Sequence, residues 1–423
     1  MAAENGEIFE LEDYGAVGMS NQTPVVLTRE KTVSMPHGSE LMMLPQRRPL
    51  VYNIAKNKFK IIETNPFSPK EKIFPVAVFN SPGYVNQHSC AYDDKGIKDF
   101  LPLFSYGATG FGKNSFRSSA ILVDKEPRQD LRQMPQKGIV KGVNRMQKKY
   151  PDNRLMRHLE TCALEYGCPA GKNFFLQRYE APLPTSTICN ANCLGCISLQ
   201  TSDNLCACQD RIGFMPTAQE ISQVSIEHIS HVKNCVVSFG QGCEGEPLTA
   251  FKVIEPAIRH IRQQTDKGTI NLNTNAGIPQ YVEKLCKAGL DSMRVSLNSV
   301  REDCYNAYFR PKSYQFSDVL KSIETAKLHG KFVAINYLNC PGFTDSKGEF
   351  KALRQFIKKY KINMIQWRNL NFDPKKYCEM MSKIKDSGKP LGMGFIIQQL
   401  KNLYPELIHG YFNPPKKKFH KNL

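Results

Sequence analysis

The chain has 423 residues, of which 41% are apolar and 23% are charged, a composition typical of globular proteins and not of disordered ones. No segment approaches the roughly 18–20 consecutive apolar residues that a membrane helix needs. The length predicts two domains, and the formal net charge of +18 suits nucleic acid, an acidic protein or an anionic small molecule. The acidic N-terminus, Met1–Gly15, lacks the apolar segment of a signal peptide, so we predict a cytoplasmic protein.

The first 183 residues divide into three predicted segments. Residues 1–20 are acidic and are predicted to form a flexible leader. Residues 21–125 carry short β-type runs separated by Pro and Gly, a pattern that predicts a small β-rich N-terminal domain. Residues 126–183 are predicted to form a connector with a helix at Asn153–Tyr166, which a glycine follows.

From residue 184 the pattern changes to strands that alternate with helices. The predicted strands are Thr185–Ile188, Cys235–Gly240, Thr269–Asn275, Met293–Asn298, Phe332–Leu338 and Met364–Asn369, and the predicted helices are Ala218–Val232, Thr249–Thr265, Ile278–Lys287, Ser317–His329 and Glu349–Tyr360. Such alternation predicts a parallel sheet with helices outside it. About six units are fewer than the eight of a complete barrel.

We therefore expect an α/β fold whose main domain, residues 184–375, is a partial (β/α)6 TIM-type barrel, open on one side. Residues 376–423, helical in part and ending in a basic tail, are predicted to cover that open side or the substrate. Active sites of such barrels lie on the loops that follow the strands, so the loops after the first strands are the candidates for function.

The first of these loops contains three closely spaced cysteines, Cys189, Cys193 and Cys196, in the spacing C-x3-C-x2-C. With no export signal, the 14 cysteines of the chain are better interpreted as thiols and metal ligands than as disulfides. Thiolates hold iron–sulfur clusters, and three ligands leave one iron of a [4Fe–4S] cluster open. An open coordination position is where metal chemistry occurs, so the triad predicts an enzyme.

A glycine-rich loop at 240–248 follows the next predicted strand. Its glycines allow the backbone to approach a ligand closely, and Glu246 supplies a carboxylate suited to a ligand ammonium group. The alternative interpretation is a tight turn with a helix-capping carboxylate. The position of this loop beside the cysteine loop favours the functional interpretation.

The triad spacing, followed by Gly-Glu-Pro at 245–247, resembles the radical S-adenosylmethionine (radical SAM) superfamily over roughly residues 184–370. The resemblance implies a six-unit barrel and a [4Fe–4S] cluster on Cys189, Cys193 and Cys196. SAM would chelate the fourth iron, and Glu246 would accept hydrogen bonds from its amino group. Reductive cleavage of SAM would yield a 5′-deoxyadenosyl radical that abstracts hydrogen from a substrate, with a flavodoxin- or ferredoxin-type protein as reductant.

The resemblance also implies SAM contacts at several strand ends, although each residue there could be an ordinary polar residue that contacts no ligand. Besides Gly245, the residues concerned are Thr274, Asn275, Ser296 and Asn298. The sequence departs from the family pattern in two places: Glu244 replaces the first glycine of the usual Gly-Gly-Glu, and Leu194-Gly195 replaces the aromatic residue that often precedes the third cysteine. The second departure puts an adenine-stacking contact in doubt.

Four further cysteines, Cys162, Cys168, Cys206 and Cys208, predict a second iron–sulfur cluster or a zinc site. The alternative is that they are free thiols. The sequence gives less information on the substrate. We first expect a peptide or protein that the N-terminal domain recognises. The alternatives are an RNA-modifying radical SAM enzyme, which the net charge allows, and a non-catalytic iron–sulfur electron carrier or sensor.

Overall fold

The computed structural model describes residues 1–201, 205–384 and 387–420. Its largest unit is a sheet of seven parallel strands whose spatial order equals their order in the chain. These barrel strands are Glu180–Leu183, Val236–Phe239, Thr269–Thr274, Ser292–Leu297, Phe332–Asn339, Met364–Asn369 and Ile408–Gly410. Each strand pairs with the one before it, and helices lie between consecutive strands in the chain. This is the arrangement of a (β/α) barrel, so the predicted partial barrel is confirmed, with a short seventh strand added.

Helices cover the outside of this sheet with their apolar sides. They are Ala218–His231, Phe251–Gln264, Pro279–Ala288, Glu302–Phe309, Phe316–Leu328, Lys347–Tyr360, Pro374–Ile384 and Met393–Leu403. The first begins at a capping box in which Thr217 and Glu220 satisfy each other's backbone amides. Within the described ranges, every helix is too short or too polar to span a membrane.

The first barrel strand lies earlier than the sequence predicts. Glu180–Leu183 pairs with Val236–Phe239, while the predicted strand Thr185–Ile188 belongs to the loop that follows. Pro182 interrupts the β-type pattern, and proline is tolerated here because this strand is at the edge of the sheet. The cysteine loop is consequently longer than predicted.

The N-terminal residues form small antiparallel sheets. Their strands are Ala2–Ala3, Tyr14–Gly15, Val17–Ser20, Thr23–Val26, Val33–Ser34, Glu40–Met43, Arg48–Asn53, Lys58–Ile61, Thr64–Asn65, Ser68–Phe74, Val76–Phe79, Tyr84–Asn86, Ser89–Cys90, Tyr92–Asp93, Gly107–Gly112, Ser115–Ser118 and Ala120–Leu122. The prediction of a flexible leader at residues 1–20 is wrong. That segment supplies three of these strands, and its Leu11 and Val17 are buried, so its apolar side chains hold it in the fold.

Three helices, Gln136–Lys149, Arg154–Leu164 and Pro169–Phe175, lie between the N-terminal sheets and the barrel. The second begins at Asn153, whose side chain accepts a hydrogen bond from the amide of Met156 at 2.9 Å. Arg154 forms an ion pair with Glu220 at 2.8 Å. The connector helices are therefore fixed against the first outer helix of the barrel.

The N-terminal domain contacts the barrel at the C-terminal ends of its fifth and sixth strands. The side chain of Asn369 accepts a hydrogen bond from the Asn86 amide at 2.8 Å and donates to the Tyr84 carbonyl at 3.0 Å. Asn339 donates to the Asn86 carbonyl at 2.8 Å. Since both asparagines end their strands, the domain sits over the edge of the barrel where such folds perform chemistry.

The C-terminal segment bridges the open side of the barrel. Asn413 accepts a hydrogen bond from Gln366 of the sixth strand at 2.9 Å and donates to Glu180 of the first strand at 3.2 Å. The Lys416 amide donates to Thr269, the first residue of the third strand, at 2.7 Å. The basic segment that follows is therefore docked at the N-terminal ends of the strands.

Candidate active site

The cysteine loop is held by the helix Glu302–Phe309. The amide of Asn192 donates to the Phe309 carbonyl at 3.1 Å, and the amide of Leu194 donates to the Tyr308 carbonyl at 3.0 Å. Gly195 lies so close to the Tyr308 hydroxyl that a Cβ atom would require a shift. Glycine at this departure from the family pattern is thus explained by tight packing of the loop on the helix.

The three predicted thiols share one partly buried region. Burial, together with the nearby Glu246 carboxylate, raises the pKa of Cys189 to about 11. Burial and the other two sulfurs raise the pKa of Cys193 well above its usual range. Thiols in this state are neutral, and a bound metal must displace their protons.

Arg211 is a neighbour of the triad that the sequence did not reveal. Its guanidinium donates to the sulfur of Cys196 at 3.6 Å and to the Ser198 hydroxyl at 3.2 Å. No motif marks this residue, because the contact depends on the course of the loop between them.

Glu246 is buried and surrounded by residues of the third strand's end. Its carboxylate accepts hydrogen bonds from the Thr274 hydroxyl, from the Asn275 amide at 2.8 Å and from the Leu248 amide at 3.1 Å. Burial raises its pKa to about 7, and no described Lys, Arg or His pairs with it. The two predicted residues Thr274 and Asn275 therefore orient this carboxylate, which retains one of its roughly four acceptor positions for a ligand's amino group.

The glycine-rich loop is joined directly to the cysteine loop. The amide of Gly245 donates to the Ser186 carbonyl at 2.7 Å, and the amide of Glu246 donates to the Ile188 carbonyl at 2.9 Å. A Cβ atom on Gly245 would overlap with the Ile188 carbonyl. Glycine is required because the backbone of one loop contacts the backbone of the other, one residue before Cys189.

Glu244, the other departure from the family pattern, bridges the same two loops. One carboxylate oxygen accepts hydrogen bonds from the amides of Thr185 and Ser186 at 2.7 and 3.0 Å. The other accepts from the amides of Gly240 and Gln241 at 2.8 and 2.7 Å. The buried carboxylate therefore orders both loops and does not face a ligand.

Ser296 and Asn298 occupy different surroundings. Ser296 shares a strand face with Arg294, which donates to Gln366 across the barrel at 3.1 Å, so Ser296 faces the barrel interior. The Asn298 side chain donates to the Cys304 carbonyl at 3.0 Å and to the Tyr377 hydroxyl at 3.1 Å. These contacts give Asn298 a role in holding helices, and its assignment as a SAM contact stays a prediction.

Residues 183–357 match the family model described as the Radical SAM superfamily. The chain carries a radical SAM domain. The matched range contains the cysteine loop, the glycine-rich loop and four complete barrel strands of the seven. No curated protein matches the chain.

Solved structures similar to this chain share little sequence with it. A radical SAM methyltransferase from Sphaerobacter thermophilus has 14% identity and a TM-score of 0.39, with 57% of this chain and 68% of that chain covered. SuiB of Streptococcus suis bound to the precursor peptide SuiA has 15% identity and a TM-score of 0.39, over 64% and 62%. The protein anSMEcpe with bound AdoMet has 16% identity and a TM-score of 0.33, over 45% of this chain and only 50% of its own length.

The donor set of the radical SAM domain fits the cofactors that the family implies. Three thiols, the ligand type of iron–sulfur clusters, lie in one loop, and a buried carboxylate without a cationic partner lies on the adjoining loop. Three cysteines beside a buried carboxylate acceptor suit a cluster that also binds a ligand with an amino group.

The cysteines predicted to form a second metal site do not come together as expected. Cys206 is exposed, and the sulfur of Cys208 donates to the Leu103 carbonyl at 3.2 Å. Cys162 instead lies with His158 and Cys243, with all three ligand atoms within 4.8 Å of one another. A hydrogen bond between the sulfurs of Cys243 and Cys162 lowers the pKa of Cys162 to about 5 and raises that of Cys243.

Proposed function

We propose that the chain binds a [4Fe–4S] cluster through Cys189, Cys193 and Cys196 and cleaves SAM reductively. When bound and reduced, the cluster supplies the electron that breaks SAM into methionine and a 5′-deoxyadenosyl radical, which abstracts hydrogen from the substrate. The observation that carries this proposal is the backbone contact between Gly245 and Ile188, because it sets the Glu246 loop against the cysteine loop.

The residues of the chain would bind and orient the cofactors. Glu246, oriented by Thr274 and Asn275, would accept hydrogen bonds from the amino group of SAM. Ser296, facing the barrel interior, would contact the nucleoside part. The N-terminal domain at the strand ends would limit access of water and of other molecules to the reactive species.

Replacing Glu246 with Gln is expected to weaken SAM binding. Hydrogen bonds to a charged acceptor contribute about 1.5–3 kcal/mol, so we expect SAM affinity to fall roughly 10- to 150-fold. The anaerobically reconstituted protein would be reduced with dithionite, and 5′-deoxyadenosine formation would be measured against SAM concentration. Glu255→Gln, on an outer helix where Glu255 pairs with Arg259, is the matched control and should leave SAM use unchanged.

Two outcomes would contradict this assignment. An unchanged SAM affinity in Glu246→Gln would remove Glu246 from the SAM site. A fully clustered wild-type protein that forms no 5′-deoxyadenosine would defeat the enzyme proposal and favour an iron–sulfur electron carrier or sensor.

We propose a flavodoxin- or ferredoxin-type protein as the electron donor and a peptide or protein as the substrate. The net charge of +18 would attract an acidic electron donor. The densest basic segment, Lys416–Lys418, is docked by contacts to Thr269 and Glu126 at the strand ends opposite the cysteine loop. That position argues against delivery of RNA to the site by this segment.

Binding to bulk tRNA distinguishes the two substrate classes. We expect weak, non-specific binding, with dissociation constants of roughly 10⁻⁴–10⁻⁶ M at physiological salt. Filter binding across a range of salt concentrations measures the affinity for tRNA. A peptide library without tRNA is assayed in parallel for SAM-dependent modification of the peptides. Tight tRNA binding accompanied by SAM-dependent tRNA modification would overturn the peptide proposal.

A further inference from the structure

Three potential metal ligands from two parts of the chain meet beside the glycine-rich loop. His158 and Cys162 are four residues apart on the helix Arg154–Leu164, which places them on the same side of it. Cys243 approaches from the glycine-rich loop. The three ligand atoms all lie within 4.8 Å of one another. Both cysteines are buried, with relative residue exposures of 4% for Cys162 and 8% for Cys243.

The spacing of these atoms matches a tetrahedral zinc site. Zinc bonds of about 2.3 Å to sulfur and about 2.0–2.1 Å to nitrogen place a nitrogen and a sulfur ligand about 3.5 Å apart at the tetrahedral angle. The Nε2 atom of His158 is 3.5 Å from the Sγ atom of Cys162. A metal ion can therefore enter with little change at the helix.

Hydrogen bonds and packing already fix the backbone around His158, Cys162 and Cys243. The Cys243 carbonyl accepts a hydrogen bond from the Ile212 amide at 2.8 Å, and the Cys162 carbonyl accepts one from the Cys168 amide at 2.8 Å. The His158 ring packs edge-on against Phe214, with ring centroids 6.3 Å apart. These contacts hold the ligand-bearing segments in place.

We propose that His158, Cys162 and Cys243 bind a Zn²⁺ ion, separate from the cysteine triad. Imidazole and thiolate are the ligands that zinc prefers, and three of them leave a fourth position for solvent or another ligand. The metal joins the connector helix to the loop that carries Glu244 and Glu246, and so stabilises the loop at the proposed SAM site. The residue set differs from the four-cysteine site that the sequence predicts, since only Cys162 is common to both.

Zinc binding would be measured on the full-length chain in which Cys189, Cys193 and Cys196 are replaced by alanine, so that the triad cannot hold metal. The protein is reduced, stripped of metal and titrated anaerobically with Zn²⁺ and, separately, with Co²⁺. We expect about one zinc per chain, and a cobalt spectrum with thiolate charge-transfer bands and the intense visible bands of four-coordinate Co²⁺.

Replacing a direct ligand should weaken zinc binding more than the 10- to 100-fold that loss of a supporting contact typically costs. We therefore expect losses above roughly 100-fold for His158→Ala and Cys243→Ser. Cys206→Ser and Cys208→Ser are the matched controls and should bind zinc as the parent does. If the ligand variants fail to fold, zinc protection of Cys162 and Cys243 from alkylation in the unsubstituted chain tests the same residues.

Several results would overturn the proposal. They are absence of stoichiometric zinc binding, and a loss of zinc affinity in Cys206→Ser equal to that in the ligand variants. Failure of the SAM-cleavage proposal can be distinguished from failure of the zinc proposal, because iron content and 5′-deoxyadenosine are measured on the chain with an intact triad. Zinc binding in the triad-free chain depends on neither.

Discussion

Cys193→Ala is expected to abolish assembly of the [4Fe–4S] cluster and, with it, SAM cleavage. Only two thiolates would remain in the loop, one fewer than the three that the proposed cluster requires. Iron per chain should fall from about four to nearly zero after anaerobic reconstitution, and 5′-deoxyadenosine should fall to the background level. Iron analysis and the visible absorbance of the cluster measure the first effect.

Cys286→Ala provides the control for this experiment. Cys286 is a buried thiol on an outer helix, where burial raises its pKa to about 11, and it lies outside the cysteine loop. Its substitution removes a buried sulfur without touching the triad, so iron content and SAM cleavage should remain those of the unsubstituted chain. A full complement of iron in Cys193→Ala would show that the triad is not the cluster site.

The barrel could be predicted because its strands are buried on both faces. Val236–Phe239 is fully buried, and so are the first four residues of Met364–Asn369. Clear helix patterns bound both runs, so the sequence locates them within a residue or two. The first strand was misplaced because Glu180–Leu183 contains Pro182, whereas Thr185–Ile188 has the β-branched residues of a strand. The seventh strand, Ile408–Gly410, is too short to carry any periodic signal.

The candidate site was predictable where it follows a local motif and not where it depends on distant contacts. The triad and Glu246 could be proposed from local motifs and from the family resemblance that those motifs carry. His158 and Cys243 are 85 residues apart in the chain, and only the packing of a connector helix on the glycine-rich loop brings them together. The i, i+4 spacing of His158 and Cys162 was the one local signal for that cluster.

The contacts of Glu244 explain one departure from the family pattern. The sequence shows only that a carboxylate stands where glycine is common. Its hydrogen bonds join residues 185–186 to residues 240–241, and burial raises its pKa. The Glu244 side chain therefore fixes the cysteine loop relative to the glycine-rich loop, in addition to the backbone contacts of Gly245.

Glu244→Ala is expected to loosen both loops at once. The substitution leaves four amides, of which those of Thr185 and Ser186 are buried, and the Thr185 hydroxyl without their acceptor. Unsatisfied buried donors cost about 1–3 kcal/mol each, partly recovered by relaxation and water. We expect hydrogen exchange at the amides of Thr185, Ser186, Gly240 and Gln241 to accelerate by on the order of 100-fold, equivalent to about 3 kcal/mol of local stability. Glu244→Gly, which restores the common family residue, should behave like the alanine variant, because it too lacks the acceptor.

Glu349→Gln is the matched control for Glu244, since Glu349 is a buried carboxylate at a different place in the barrel, bonded to Ser299 and Arg301. It should leave exchange at residues 185–186 and 240–241 unchanged. SAM affinity measured on the same variants separates two roles. If Glu244 only orders the loops, its loss should weaken SAM binding without altering the dependence on Glu246, so the Glu246→Gln effect should persist in the Glu244→Ala background. Unaltered exchange in Glu244→Ala would instead mean that the backbone contacts of Gly245 alone hold the loops together.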